Sequence, residues 1–100
     1  MSNKQAISLK LIVSQSAGNL VSDMDGEKVM LNIDKGKYYN LGQLGGVIWE
    51  LVEQPMAVQE LVSTLCSLYQ VEQSECENQV IEFLEKLMQE GLIQVKNFSS

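Results

Sequence analysis

Apolar and polar positions along the chain change period once, near residue 42. Before that point Val29, Leu31 and Ile33 alternate with Met30 and Asn32, and a period of two marks a half-buried strand over 29–33. Asp34, Lys35 and Gly36 follow as a turn whose glycine can take positive φ, and the aromatic-rich run KYYNL, residues 37–41, reads as the returning strand of a hairpin. Upstream, SLKLIV (8–13) and NLVSDM (19–24) are weaker strand candidates, with Asp25 and Gly26 marking a further tight turn. The expectation is three or four antiparallel strands.

After residue 42 the period becomes helical. Leu44, Val47, Ile48, Leu51 and Val52 line one face of a first helix that closes before Pro55. Val58, Leu61, Val62, Leu65, Leu68 and Tyr69 repeat that stripe in a second helix. The polar connection 70–73 leads to Ser74, whose spacing from Glu77 predicts a capping box at the start of a third helix. Its stripe is Cys76, Val80, Phe83, Leu84 and Leu87, its stop is Gly91, and residues 92–95 add a short extended tail. Strands followed by three helices give an α+β class. The four-residue connection between the last two helices makes the arrangement winged helix-turn-helix-like.

That fold class is associated with DNA, and the charge changes the picture. The net charge is −6, and residues 42–100 carry nine Glu against two Lys, so the helix that would approach phosphates is acidic. Nucleic acid is therefore not the expected partner. At 100 residues with 45% apolar and 20% charged positions, the chain makes one domain over 1–100, with its core in about 7–95. No apolar run is long enough for a signal core or a membrane span, so a cytoplasmic protein without membrane contact is expected.

The chain has no His and no Arg, which removes imidazole general acid–base work, His-assisted nucleophiles and His-ligated zinc. Cys66 and Cys76 are too few for a disulfide scaffold or a four-thiolate metal site, and their positions on or beside apolar stripes read as buried reduced thiols. The glutamates of the third helix spread around its exposed side and do not converge as a catalytic pair. GQLGG (42–46) lacks the Lys and Ser/Thr of a phosphate loop, so Gly45 and Gly46 signal close packing against the sheet. Trp49 falls just off the first helix's stripe, as either a core-edge residue or a partner contact. Tyr38 and Tyr39 are adjacent on a strand, so one faces the core and the other stays outside, beside an edge that could accept an extended peptide against the third helix.

The run GKYYNLGQLGGVIWELVEQP and the later VQELVSTLCSLYQVEQSECENQVIEFLEKLMQEGLI resemble the PqqD family of small peptide-binding proteins in modified-peptide biosynthesis. The landmarks are the KYYNL strand, Ile48–Leu51, Val58–Leu61 and the end of the third helix, in order over about 27–93. A double-Tyr strand in a chain of this length looks most like the discrete members of lasso-peptide clusters. The resemblance implies a three-stranded sheet with three helices, no catalytic activity and no cofactor. It also implies capture of a precursor's leader peptide by strand addition and its presentation to a separate leader protease and cyclase. Carried onto this chain, one wall of the groove is Lys37, Tyr38, Tyr39, Asn40 and Leu41, and the other is Val80, Phe83, Leu84 and Leu87. Ala57 stands where relatives often have a Thr or Ser cap, and Gln43 and Leu44 where they often have a polar residue followed by Thr or Ser. Two other classes compete with this reading: an acidic winged-helix interaction or regulatory module that does not bind DNA, and a small thiol enzyme or carrier.

Overall fold

The computed structural model describes residues 8–96. In chain order it has β1 (Ile12–Gln15), β2 (Asn19–Met24), β3 (Glu27–Asn32), β4 (Lys37–Leu41), α1 (Gly42–Leu51), β5 (Met56–Ala57), α2 (Val58–Tyr69), α3 (Gln73–Gln89) and β6 (Ile93–Lys96). The class is the expected one, antiparallel strands followed by three helices. The strands divide between two three-stranded sheets, ordered β5–β1–β6 and β2–β3–β4. β1 starts later than the pattern over 8–13 predicts, because Ser8 folds back on the chain, its carbonyl accepting the Leu11 N–H at 3.1 Å and its hydroxyl the Lys10 N–H at 3.1 Å. β1 then leaves the hairpin sheet and pairs with the 92–95 tail, which forms β6, and with the two residues of β5.

In the β2–β3–β4 meander, Val21, Met30 and Tyr39 fall in one cross-strand row and Leu20, Leu31 and Tyr38 in the next, so the two rows face opposite sides. The buried face is the one with Met30 and Asn32, not the one with Val29, Leu31 and Ile33; Ile33 lies past the strand end and is exposed. A buried asparagine decides this. The Asn32 side-chain amide donates to Asn19 Oδ1 at 2.7 Å and its carbonyl oxygen accepts the Lys35 N–H at 2.8 Å, so its polar atoms are satisfied while they shape the β3–β4 turn. Gly36 completes that turn with φ 66°.

The core joins both sheets to all three helices: Val13, Met30, Ile48, Val52, Val58, Leu61, Leu65, Val80, Leu84 and Leu92 are fully buried. Trp49 is buried as well, within the core and not at its edge. β1 is fastened to the helices through backbone groups, Gln15 N–H donating to the Val52 carbonyl at 3.0 Å and Val58 N–H to the Leu11 carbonyl at 2.9 Å. The capping box at Ser74 does not form. α2 ends on Gln70 in a left-handed conformation, φ 52°, and α3 begins directly afterwards, with extended Glu72 as N-cap and Ser74 already inside the first turn. α2 likewise starts without a side-chain cap at Ala57.

α1 lies against β3 through Gly46, whereas Gly45 faces the Phe83 ring of α3 and not the sheet as expected. A Cβ on Gly45 would meet the Phe83 ring at 2.8 Å, and one on Gly46 would overlap the Lys28 stem, including Lys28 Cβ at 3.0 Å. Lys28 runs across Gly46 and pairs its ammonium with Glu50 at 3.1 Å, one helical turn on, and with Asp23 at 3.8 Å. Alanine at position 46 gains about 1 kcal/mol of helix propensity but forces a backbone-proximal clash costing about 1–3 kcal/mol. Gly46→Ala is therefore expected to lower the urea midpoint without changing the slope; a raised midpoint would mean the close approach is not what the glycine serves.

Candidate functional site

β4 is the outer strand of its sheet. It pairs with β3 on one side, and among the described residues no strand pairs its other edge. The strand passes without a loop into α1: Gly42, at φ 72°, makes the corner, and the Asn40 side-chain oxygen accepts the Gly42 N–H at 3.0 Å. Along this strand Lys37, Tyr38 and Asn40 are exposed, Tyr38 by 73%, whereas Tyr39 is half-buried and Leu41 buried. Tyr39 is thus the inward member of the pair and Tyr38 the outward one.

α3 meets the path from β4 into α1 and runs antiparallel to it. At one end the Tyr39 hydroxyl donates to Glu90 Oε1 at 2.9 Å, and Lys35 Nζ donates to the Glu90 backbone carbonyl at 2.6 Å with its ammonium 3.7 Å from the carboxylate. Toward the other end the half-buried Phe83 ring lies against Gly45 and Leu41. Of the residues that sequence places on this wall, Phe83 is at the margin, while Val80 and Leu84 are fully buried and Leu87 is 4% exposed. Those three hold α3 in the core. Glu90 and Lys35 are missed by sequence reasoning, since the tie between Tyr39 and Glu90 spans 51 positions and no periodicity encodes it.

The Tyr39 hydrogen bond, with the Lys37 and Lys35 charges behind it, holds the Glu90 carboxyl below the usual carboxylate range against the opposing effect of burial. Burial and the same carboxylate push the Tyr39 phenol up, so it stays a donor. Elsewhere, burial and then the neighbouring Cys66 thiol push Cys76 up to about 11, which keeps it a protonated thiol at neutral pH. Among the described residues no group of three or more His, Cys, Asp or Glu is placed to hold a metal ion, and no helix is long and apolar enough to cross a membrane.

Because the folded-state pKa of Glu90 is depressed, the stability from its tie is present above the ordinary carboxylate pKa of about 4.3 and is lost as pH falls through the lowered value. Tyr39→Phe removes the largest cause. An NMR titration of the Glu90 carboxyl in that variant is expected to show its pKa rising toward the ordinary value, and the acid limb of the unfolding curve should move to higher pH. An unchanged Glu90 titration would assign the shift to the lysines alone.

Comparison with known proteins bears on this geometry. The family model described as "Coenzyme PQQ synthesis protein D (PqqD)" matches residues 27–93, from the start of β3 to the start of β6. No curated protein matches at a significant level. Among solved structures, "TbiB1 in Complex with the TbiA(beta) Leader Peptide" is similar with a TM-score of 0.72 and 28% identity, over 81% of this chain and 94% of that one. With the β3–β4 hairpin, all three helices and their order falling within a match over 27–93, this chain belongs to the PqqD family.

Proposed function

We propose that this protein captures the leader segment of a ribosomally made precursor peptide as an added strand on the free edge of β4, and presents it to a separate leader protease and cyclase. The protein is a recognition module and performs no bond chemistry. The observation that carries this reading is the outer edge of β4, which no strand pairs among the described residues, in a member of the PqqD family similar to TbiB1, a protein solved with a leader peptide. An extended segment placed there satisfies strand-edge N–H and C=O groups and lays alternate side chains toward Tyr39 and Phe83. Main-chain pairing supplies affinity that depends little on sequence, and the side chains at the groove supply selectivity.

The leader would be ordered on binding, and that entropy is offset by apolar anchors at the groove margin. Phe83 is the anchor wall that can be altered most safely, because it is half-buried, whereas Leu84 and Val80 are core residues whose truncation costs about 2–5 kcal/mol of fold stability. The acidic surface beyond residue 41 favours a leader with Lys or Arg near its docking segment, and this steering weakens with salt while the apolar contacts do not.

Titration with a synthetic peptide covering the leader of a candidate precursor is expected to protect the backbone amides of 37–41 from exchange, together with those of β3. Phe83→Ala should weaken binding by about 1–3 kcal/mol, roughly fivefold to somewhat over a hundredfold, while Leu84→Ala should register mainly as lost stability. A saturating leader that leaves 37–41 unprotected would rule out strand addition at this edge. Replacing Cys66 and Cys76 by Ala should leave maturation by the full enzyme set intact in a folded variant; loss of maturation there would contradict the non-catalytic reading.

A further inference from the structure

The alternating apolar set Val29, Leu31 and Ile33 is on the face of the β2–β3–β4 meander that turns away from the core, where peptide capture at the β4 edge makes no use of it. Met30, Val21 and Tyr39 turn the other way, and among the described residues α1 is the helix that packs on this sheet, on their side. The outward side carries Leu20, Leu31 and Tyr38 in one cross-strand row, Ser22, Val29 and Asn40 in the next, and Met24 with Glu27 beyond. Leu20, Met24, Ile33 and Tyr38 are between 56% and 73% exposed, and Val29 and Leu31 partly so. Adjacent apolar residues in β2 (Leu20, Val21) and in β3 (Val29, Met30, Leu31) are the pattern of a sheet covered on both faces, since one solvated face gives a clean alternation.

We infer that this outer face is a self-association surface, on which a second copy of this chain stacks sheet to sheet about a two-fold axis that passes near Leu31. The inference stands independently of the strand-addition reading. Area comes first. The exposed side chains amount to an apolar patch on the order of 500 Å² per copy, as large as the largest that monomers leave open, and a pair would bury about 1,000 Å², the lower bound for a specific interface.

Charge selects the occupant. Residues 19–41 carry four acids against three lysines, whereas 42–100 carry nine Glu against two Lys, so a strongly charged partner would be drawn to or repelled by the helical side and not by this face. Its rows hold one charged side chain, Glu27, at a corner, where it accepts the Asn40 amide at 3.1 Å. Two copies stacked here keep their acidic helices on the outside. Sheets pack about 10 Å apart and a helix layer adds about 10 Å on each side, so those helices stand about 30 Å apart, several times the Debye length of about 8 Å. Shape agrees. With the axis along β3, β4 of one copy lies over β2 of the other, and Tyr38, the most exposed of the set, meets the strand in which Ser22 leaves a notch between Leu20 and Met24. Leu31 meets its own counterpart. The β4 backbone edge lies in the plane of the sheet, so stacking leaves it open.

Sedimentation equilibrium of the full chain between about 1 μM and about 1 mM is expected to show a monomer–dimer equilibrium, as an interface of this size allows. Leu31→Lys and Leu31→Glu should each weaken it about tenfold or more, and an equimolar mixture of the two should restore association, because position 31 faces itself across the axis. Circular dichroism and melting confirm that each variant is folded, and Leu20→Lys, at a position 58% exposed, should repeat the loss without altering β3. Hydrogen exchange at low and high protein concentration separates stacking from edge pairing, since stacking leaves the outer-edge amides of β2 and β4 as open as in the monomer. A wild-type chain that stays monomeric throughout, a dimer that Leu31→Lys and Leu20→Lys leave intact, a mixture of the two Leu31 variants that fails to associate, or new protection of those edge amides on dimerisation would each overturn the stacked pair.

Discussion

The placement of the hairpin sheet on the helices depends on two consecutive helical positions without side chains. Gly45 and Gly46 let α1 approach β3 and α3 so closely that Phe83 lies on the helix backbone on one side and the Lys28 stem on the other. Two glycines inside a helix cost about 2 kcal/mol of propensity relative to alanine, and the close approach is what offsets that cost. The edge of β4 is beside α3 because α1, its direct continuation, is held between them. A larger residue at position 46 would push α1 from β3, and one at position 45 would push it from Phe83 of α3.

Much of this was legible in the sequence, and the parts that were not have identifiable causes. The change from period two to a helical period near residue 42 located the β4–α1 junction, because Leu41 and the α1 stripe are all fixed by one apolar core. The direction of β3 was not legible, since both faces of that strand carry apolar residues and the deciding group is a buried polar one, Asn32, satisfied by Asn19 and the turn. The division into two sheets was hidden for a related reason. β1 and β6 are far apart in sequence, and nothing local in ISLKLIV indicates that its partner is the chain's other end. Sequence gave Ser74 a cap with sound local logic, yet the left-handed end of α2 let α3 begin earlier, and tertiary geometry overrode the signal.

The same division applies at the site. The alternation of Tyr38 and Tyr39 required that they part, but which one turned inward was set by the row that Tyr39 shares with Met30 and Val21. On α3, helical periodicity cannot separate a core residue from a groove residue when both lie on the apolar stripe. Val80, Leu84 and Leu87 form the inner part of that stripe and Phe83 its margin, so the proposed recognition would fall to a different residue from those that hold the core. This separation lets the groove change composition without loss of the core, because contacts at the margin are replaceable where those at the centre are not.

The ionisable groups point the same way. Active sites shift a base or nucleophile toward the reactive form at neutral pH: a carboxylate upward, a thiol or lysine downward. Here every shift runs in the opposite sense. Glu90 is held down by Tyr39 and two lysines, Lys28 is held up by Glu50, the Tyr39 phenol is held up by burial, and the Cys76 thiol is pushed up to about 11. Each residue is thereby fixed more firmly in its ordinary resting protonation state, the carboxylate charged, the thiol and phenol neutral, the ammonium charged. Such groups are suited to holding geometry. Tyr39, Glu90 and Lys35 pin the end of α3 to the hairpin, which fixes the separation of β4 from α3 and would preorganise the proposed docking edge.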